Sequence, residues 1–172
     1  HLVSNMNDLV DKVRRDEQNR LEDQEGKKLI KGSRYLLLKG QEKLEKDPDK
    51  KSRLDALLEA NETLHKVYLL KEDLRQFWSQ PSKDDANQFI MGWLSMARAL
   101  DNKHVNSFAE TVEEHMEDIL SWYDVPITTG PLEGLNNKIK VFKRAAYGYR
   151  DMAFFGLRLL FLHETEFKLS GT

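Results

Sequence analysis

Apolar residues that return every three or four positions constrain this chain most, because that period suits an amphipathic helix and no other regular element. Leu2, Met6, Leu9, Val10 and Val13 set the pattern and predict a helix to about Asn19. Leu54, Leu57 and Leu58, then Leu64, Val67, Tyr68, Leu74, Phe77 and Trp78, predict two more, with Asn61 as the break between them and Pro81 as the end. Ser82 is the expected N-cap of a helix carrying Phe89, Ile90, Trp93, Leu94, Ala97 and Leu100, which Asp101 and Asn102 close. Val105, Phe108, Ala109, Val112, Met116, Ile119, Leu120 and Tyr123 form the last stripe before Pro126. The fold class expected is mainly α, a helical bundle.

Two stretches interrupt this reading. The run Tyr35 to Leu38, inside "KKLIKGSRYLLLKG", has a length that suits a buried strand as well as a helix. Gly40 and "EKDPDKK" have the composition of a turn and linker.

A chain of 172 residues with 33% charged residues and no cysteine is long enough for a packed core and has no disulfide framework or thiolate zinc site. Its net charge of -2 does not by itself mark a nucleic-acid binder, although an average can hide opposite local charges. The most apolar run, Met152 to Leu162, is much shorter than the roughly 20 residues of a membrane span, so no membrane partner and a cytoplasmic location are expected. The opening "HLVSNMNDLVDKVRR" does not have signal-peptide character and reads as the middle of something longer. His1, His65, His104, His115 and His163 lack the His-Glu-x-x-His spacing of a helical zinc site. Trp78, Trp93 and Trp122 fall on or beside the apolar stripes, where core positions outnumber base-stacking ones.

The remaining distinctive stretch is "GPLEGLNNKIKVFKRAAYG", residues 130 to 148. Pro131 suits the first helical position, which places Glu133 near the start of a helix. Projected at about 100° per residue, Glu133, Asn137, Lys140 and Arg144 fall within about 40° of one another, with Leu135, Ile139, Phe142 and Ala146 on the far side. Capping by Glu133 and dipole complementation by the cations would account for most of that pattern. Phosphoryl transfer on DNA accounts for it too, since carboxylates hold divalent metal there and cations or amides grip flanking phosphates. From residue 133 to 150, Glu133 stands against Lys138, Lys140, Lys143, Arg144 and Arg150, a locally basic end on a mildly acidic chain.

The string "EGLNNKIKVFKRAAYGYRDMAFFGLRLL" resembles the C-terminal catalytic motif of bacterial insertion-sequence DDE transposases of the ISL-three type. "HLVSNMNDLVDKVRR" is similar to the segment that follows the family's second catalytic Asp, and "GSRYLLLKGQEKL" and "LLEANETLHKVYLLKEDLRQFW" to the region after it. The resemblance implies an RNase H-like α/β domain in which two Asp and one Glu bind Mg2+ or Mn2+. Glu133 would be the third carboxylate and metal ligand, both Asp would lie before His1, and the chain alone would neither cleave DNA nor hold metal tightly. Lys140 matches the family spacing of a Lys seven residues after the Glu, whereas Thr128-Thr129 replace the usual Ser-Asn and the upstream Tyr and Arg are absent. Asn137, Lys140, Lys143 and Arg144 are the expected phosphate contacts, with DNA as partner and a second copy of the protein as another. Three regions follow: 1–40, a helix and the strand candidate at Tyr35 to Leu38 from an incomplete α/β domain; 41–125, an all-helical insertion; and 126–172, the Glu-bearing helices. The alternative is a helical DNA-binding or dimerisation module without catalysis.

Overall fold

The computed structural model describes residues 2–124 together with Phe154, Gly156 and Leu157. The described chain is helical, with α1 (Leu2–Arg20), α2 (Gln24–Ile30), α3 (Arg34–Leu38), α4 (Gln41–Leu44), α5 (Pro48–Ala60), α6 (Glu62–Leu74), α7 (Lys83–Ala99), α8 (Lys103–Glu114) and α9 (Met116–Leu120). Single 3-10 turns cover Phe77–Ser79 and Ser121–Asp124.

The helix boundaries follow from capping chemistry. Asn61 ends α5 and starts α6, its Oδ1 accepting from the Leu64 N–H at 2.8 Å. Ser82 caps α7 through the Asp85 N–H, and Asn102 caps α8 through His104 and Val105. Asp101 reverses the chain between them at φ 50°, a left-handed backbone that Asp tolerates better than most residues.

No strand occurs among the described residues, and Tyr35 to Leu38 form α3. The strand alternative is corrected by the burial pattern: Leu36 and Leu37 are both buried while Tyr35 is exposed. Adjacent buried residues share one side of a helix but would face opposite sides of a strand. The Leu37 N–H closes a helical turn onto the Ser33 carbonyl at 3.1 Å. "EKDPDKK" is only partly a linker, since the Asp47 side chain caps the Lys50 N–H and Pro48 occupies the first turn of α5. Phe77 and Trp78 leave the α6 helix for a 3-10 turn, and the last stripe is interrupted at His115 rather than running on to Tyr123.

Helix α1 packs mainly on α6 and also meets α3 and α8, while α7 packs on α6 and α8. Met6, Val10 and Val13 of α1 therefore share one core with Leu64, Val67 and Leu70 of α6 and Phe89 and Trp93 of α7. Trp93 is fully buried, and its Nε1–H donates to the Leu70 carbonyl at 2.9 Å, so the indole is satisfied without water. Phe108 stands edge-on to it at 5.8 Å. Phe154 is buried in the same core, with the Lys66 ammonium 5.4 Å from its ring centre. No described helix is long and apolar enough to cross a membrane.

Candidate functional site

Glu133, Asn137, Lys140, Lys143 and Arg144 lie outside the described residues, as does the whole "EGLNNKIK" string. The structure does describe the two points of the chain that flank the predicted catalytic parts. Leu2 and Asn5, at the start of α1, and Trp122, at the end of the described bundle, line one cavity of about 480 Å³. Trp78, Phe108 and Ile119 give it apolar walls, and Thr111, His115 and Asp118 add polar groups. Trp78 and Trp122 thus face a cavity, and only Trp93 is a fully enclosed core residue.

The last described turn is held firmly against the bundle. Tyr123 donates its hydroxyl to the Phe77 carbonyl and accepts from the Gln80 N–H at 3.2 Å. Its ring meets Phe77 edge-on at 5.6 Å and Trp122 at 4.8 Å. Burial pushes the Tyr123 hydroxyl up to about 12, so it remains a neutral donor over the ordinary pH range. Lys83 pairs with Asp124 and ties the same turn to α7. Glu133 follows Asp124 by nine residues, a tether of at most about 30 Å when fully extended.

The other end of the cavity depends on where α1 sits, and charged groups fix that helix. Asp11 receives Arg14 at 2.8 Å and Arg15 at 2.7 Å, with Arg34 of α3 at 3.5 Å. Burial alone would raise the Asp11 carboxyl, but hydrogen bonds from Arg14 and Arg15 outweigh it and hold it below its ordinary 3.8. Asp16 is held low by hydrogen bonds from Lys103 and His104 of α8. Glu17 is buried, accepts from the Asn61 Nδ2–H at 2.8 Å and pairs with Arg20 at 3.0 Å.

A second buried charge braces α3. The Lys71 ammonium, 1% exposed, donates to the Leu37 carbonyl at 2.6 Å and the Lys39 carbonyl at 2.9 Å, and pairs with Glu72 at 2.8 Å. Burial lowers its affinity for the proton, and the Glu72 carboxylate opposes that effect. Glu72 in turn accepts from the Gln41 N–H at 3.4 Å. Gly40 packs against the Arg75 guanidinium, which a Cβ at that position would approach to 2.9 Å.

These buried charges were not among the expected site residues, although two carried a signal. Met6, Val10 and Val13 lead at helical spacing to Glu17, and Leu64 and Val67 lead to Lys71 before Leu74. A charge standing on an apolar stripe is the pattern of a buried, partnered group. Asp11 lies off the stripe and gave no such sign.

The described residues do not make a divalent-metal site. No group of three or more His, Asp or Glu among them could hold an ion. His104 is turned to Asp16 and His115 to Asp118, each a single carboxylate.

Comparison with known proteins is consistent with the sequence. Residues 1–159 match the model of the ISL-three family of DDE transposases, described as "Transposase". The chain is 37% identical over 153 residues to the transposase for insertion sequence element IS1001 of Bordetella parapertussis, covering 88% of this chain and 37% of that protein. It is 29% identical over 122 residues to the transposase for insertion sequence element IS1557 of Mycobacterium tuberculosis, covering 71% of this chain and 27% of that protein. A shorter stretch of 53 residues is 42% identical to a Lactococcus lactis protein named ATP-dependent protease, 31% of this chain and 17% of that protein. No solved structure matches significantly. The chain thus spans 37% and 27% of the length of these two transposase relatives, and over nearly all of its own length it belongs to the ISL-three type of DDE transposases.

Proposed function

We propose that this chain is the C-terminal part of the catalytic region of a DNA transposase and that Glu133 supplies the third catalytic carboxylate. The observation that carries the reading is the string from Glu133 to Lys140, which lies inside the family match to residue 159. The geometry supports it: the start of α1, which would follow the second Asp, and the turn that leads to Glu133 border one cavity.

In this reading Glu133 is one ligand for Mg2+ or Mn2+, which in such a site polarises the scissile phosphate. Asn137, Lys140, Lys143 and Arg144 hold the flanking phosphates and keep the strand in line for attack. Water attacks phosphorus and the P–O3′ bond breaks, which leaves a 3′-hydroxyl and a 5′-phosphate. That hydroxyl then attacks a target phosphorus and displaces the target's own 3′-oxygen. Residues 1–40 and 41–125 position the two carboxylate-bearing segments, residues 126–172 contribute Glu133, and DNA ends in the cytoplasm are the substrate, with a second copy of the protein as co-partner.

The test is Glu133→Gln in the full-length protein, assayed on a labelled transposon-end duplex with Mg2+. Strand cleavage should fall by at least about a thousandfold, the scale of losing a group central to charge stabilisation, while duplex binding persists. Cleavage at the wild-type rate would refute the assignment.

A further inference from the structure

Residues 26–41, "GKKLIKGSRYLLLKGQ", contain five cations and no Asp or Glu, in a chain whose net charge is -2. The fold puts that charge outside. Lys28 on α2, Lys31 at its C-cap, Arg34 at the start of α3 and Lys39 at its end are all exposed. Among the described residues no carboxylate forms an ion pair with Lys28 or Lys31. The acids nearest in sequence, Glu22, Asp23 and Glu25, sit at the opposite end of α2. Glu25 is three residues from Lys28 on α2, while Lys31 lies six residues, or about 9 Å, beyond it. Asp11 pairs with Arg34 of this surface at 3.5 Å, but shares its single charge with Arg14 and Arg15.

An exposed aromatic ring lies in the same stretch. Tyr35 is 71% exposed, while its neighbours Leu36 and Leu37 are buried. The Arg34 guanidinium lies 5.9 Å from its ring centre, so a flat cation and a flat ring present themselves together. Exposed cations beside an exposed ring fit a nucleic-acid backbone, which offers both phosphate charge and sugar or base faces. An acidic protein surface would use the charges and leave the ring without a role.

We propose that Lys28, Lys31, Arg34, Tyr35 and Lys39 form a DNA-backbone contact surface separate from the Glu133 segment. Asp11, which ties α1 to Arg34, is nine residues along the helix from Leu2, or about 14 Å. That offset equals about four base-pair steps of duplex, so one DNA end can reach both the cavity at the start of α1 and this surface. The proposal takes from the transposase reading only the identity of the polyanion.

The test measures binding of the full-length protein to a labelled 30-base-pair duplex of unrelated sequence by fluorescence anisotropy, from about 50 to 200 mM salt. Lys28→Gln with Lys31→Gln should flatten the plot of log affinity against log salt by about 1.8 units, about 0.9 for each lost phosphate contact. Tyr35→Ala should weaken binding by about tenfold and leave the slope unchanged, because the ring carries no charge. Neither lysine has a carboxylate partner to lose, and an unchanged melting temperature confirms that the fold is intact. An unchanged slope in the lysine double variant overturns the proposal, as does competition by polyglutamate equal to that by duplex. Glu133→Gln run alongside keeps the two readings apart, since loss of its cleavage with an unchanged lysine-variant slope sinks only the surface.

Discussion

Asn61 joins two jobs in one side chain, and substituting it should separate them. Its Oδ1 caps the Leu64 N–H at 2.8 Å and its Nδ2–H reaches the buried Glu17 carboxylate at 2.8 Å, linking α1 to the junction of α5 and α6. Loss of the cap costs about 1 kcal/mol. Loss of a hydrogen bond to a charged group costs about 2 kcal/mol. Asn61→Ala should therefore destabilise by about 3 kcal/mol, and Asn61→Ser, which keeps a capping oxygen but is too short to reach Glu17, by about 2 kcal/mol. Asn61→Asp keeps the cap but sets a carboxylate against Glu17. At a relaxed separation of about 4 Å and an effective dielectric of about 20, the repulsion is about 4 kcal/mol at neutral pH. The pair then binds a proton more tightly folded than unfolded, so the penalty is largest above its raised folded pKa and disappears below the unfolded carboxylate range of about 4. Urea denaturation of all three variants at pH 7 and pH 4 measures this. The reasoning fails if Asn61→Ser equals wild type, or if the Asn61→Asp deficit is the same at both pH values.

Two further perturbations address the other buried charges. The Asp11 carboxyl is held below 3.8, so its contribution to stability is fully present above that pH and is lost as pH falls through the folded pKa. Asp11→Asn should cost about 2 kcal/mol at pH 7, less than for a fully buried pair because Arg15 and Arg34 can return to water, and the loss should shrink below about pH 3.8; a deficit independent of pH in acid denaturation would count against it. Lys71→Met preserves bulk but leaves the Leu37 and Lys39 carbonyls without their donor, and should cost about 3 kcal/mol with faster amide exchange across Arg34–Leu38. Unchanged exchange in α3 would show that the ammonium does not brace it.

The amino-acid sequence by itself determined the longer helices and several of their ends. Apolar period sets which side of each helix is buried, and Asn61, Ser82 and Asn102 terminate or begin helices through local hydrogen bonds that need no distant partner. The family was legible as well, because a residue string carries identity that spacing does not: by spacing alone Glu133 reads as a cap ahead of a metal ligand. The tertiary structure decided what periodicity left open. Tyr35 to Leu38 became a helix because Leu36 and Leu37 could both enter one core while Lys71, more than thirty residues away, took up the carbonyls at the helix end. The burial of Glu17 and Lys71 was foreshadowed by their stripe positions, but their partners, Asn61 and those carbonyls, are distant in sequence. The basic run from Lys27 to Lys39 had no assigned role until folding exposed Tyr35 and tied Asp11 to three arginines. Local chemistry chooses elements and caps, whereas long-range packing chooses which charges are neutralised and which are left facing a partner.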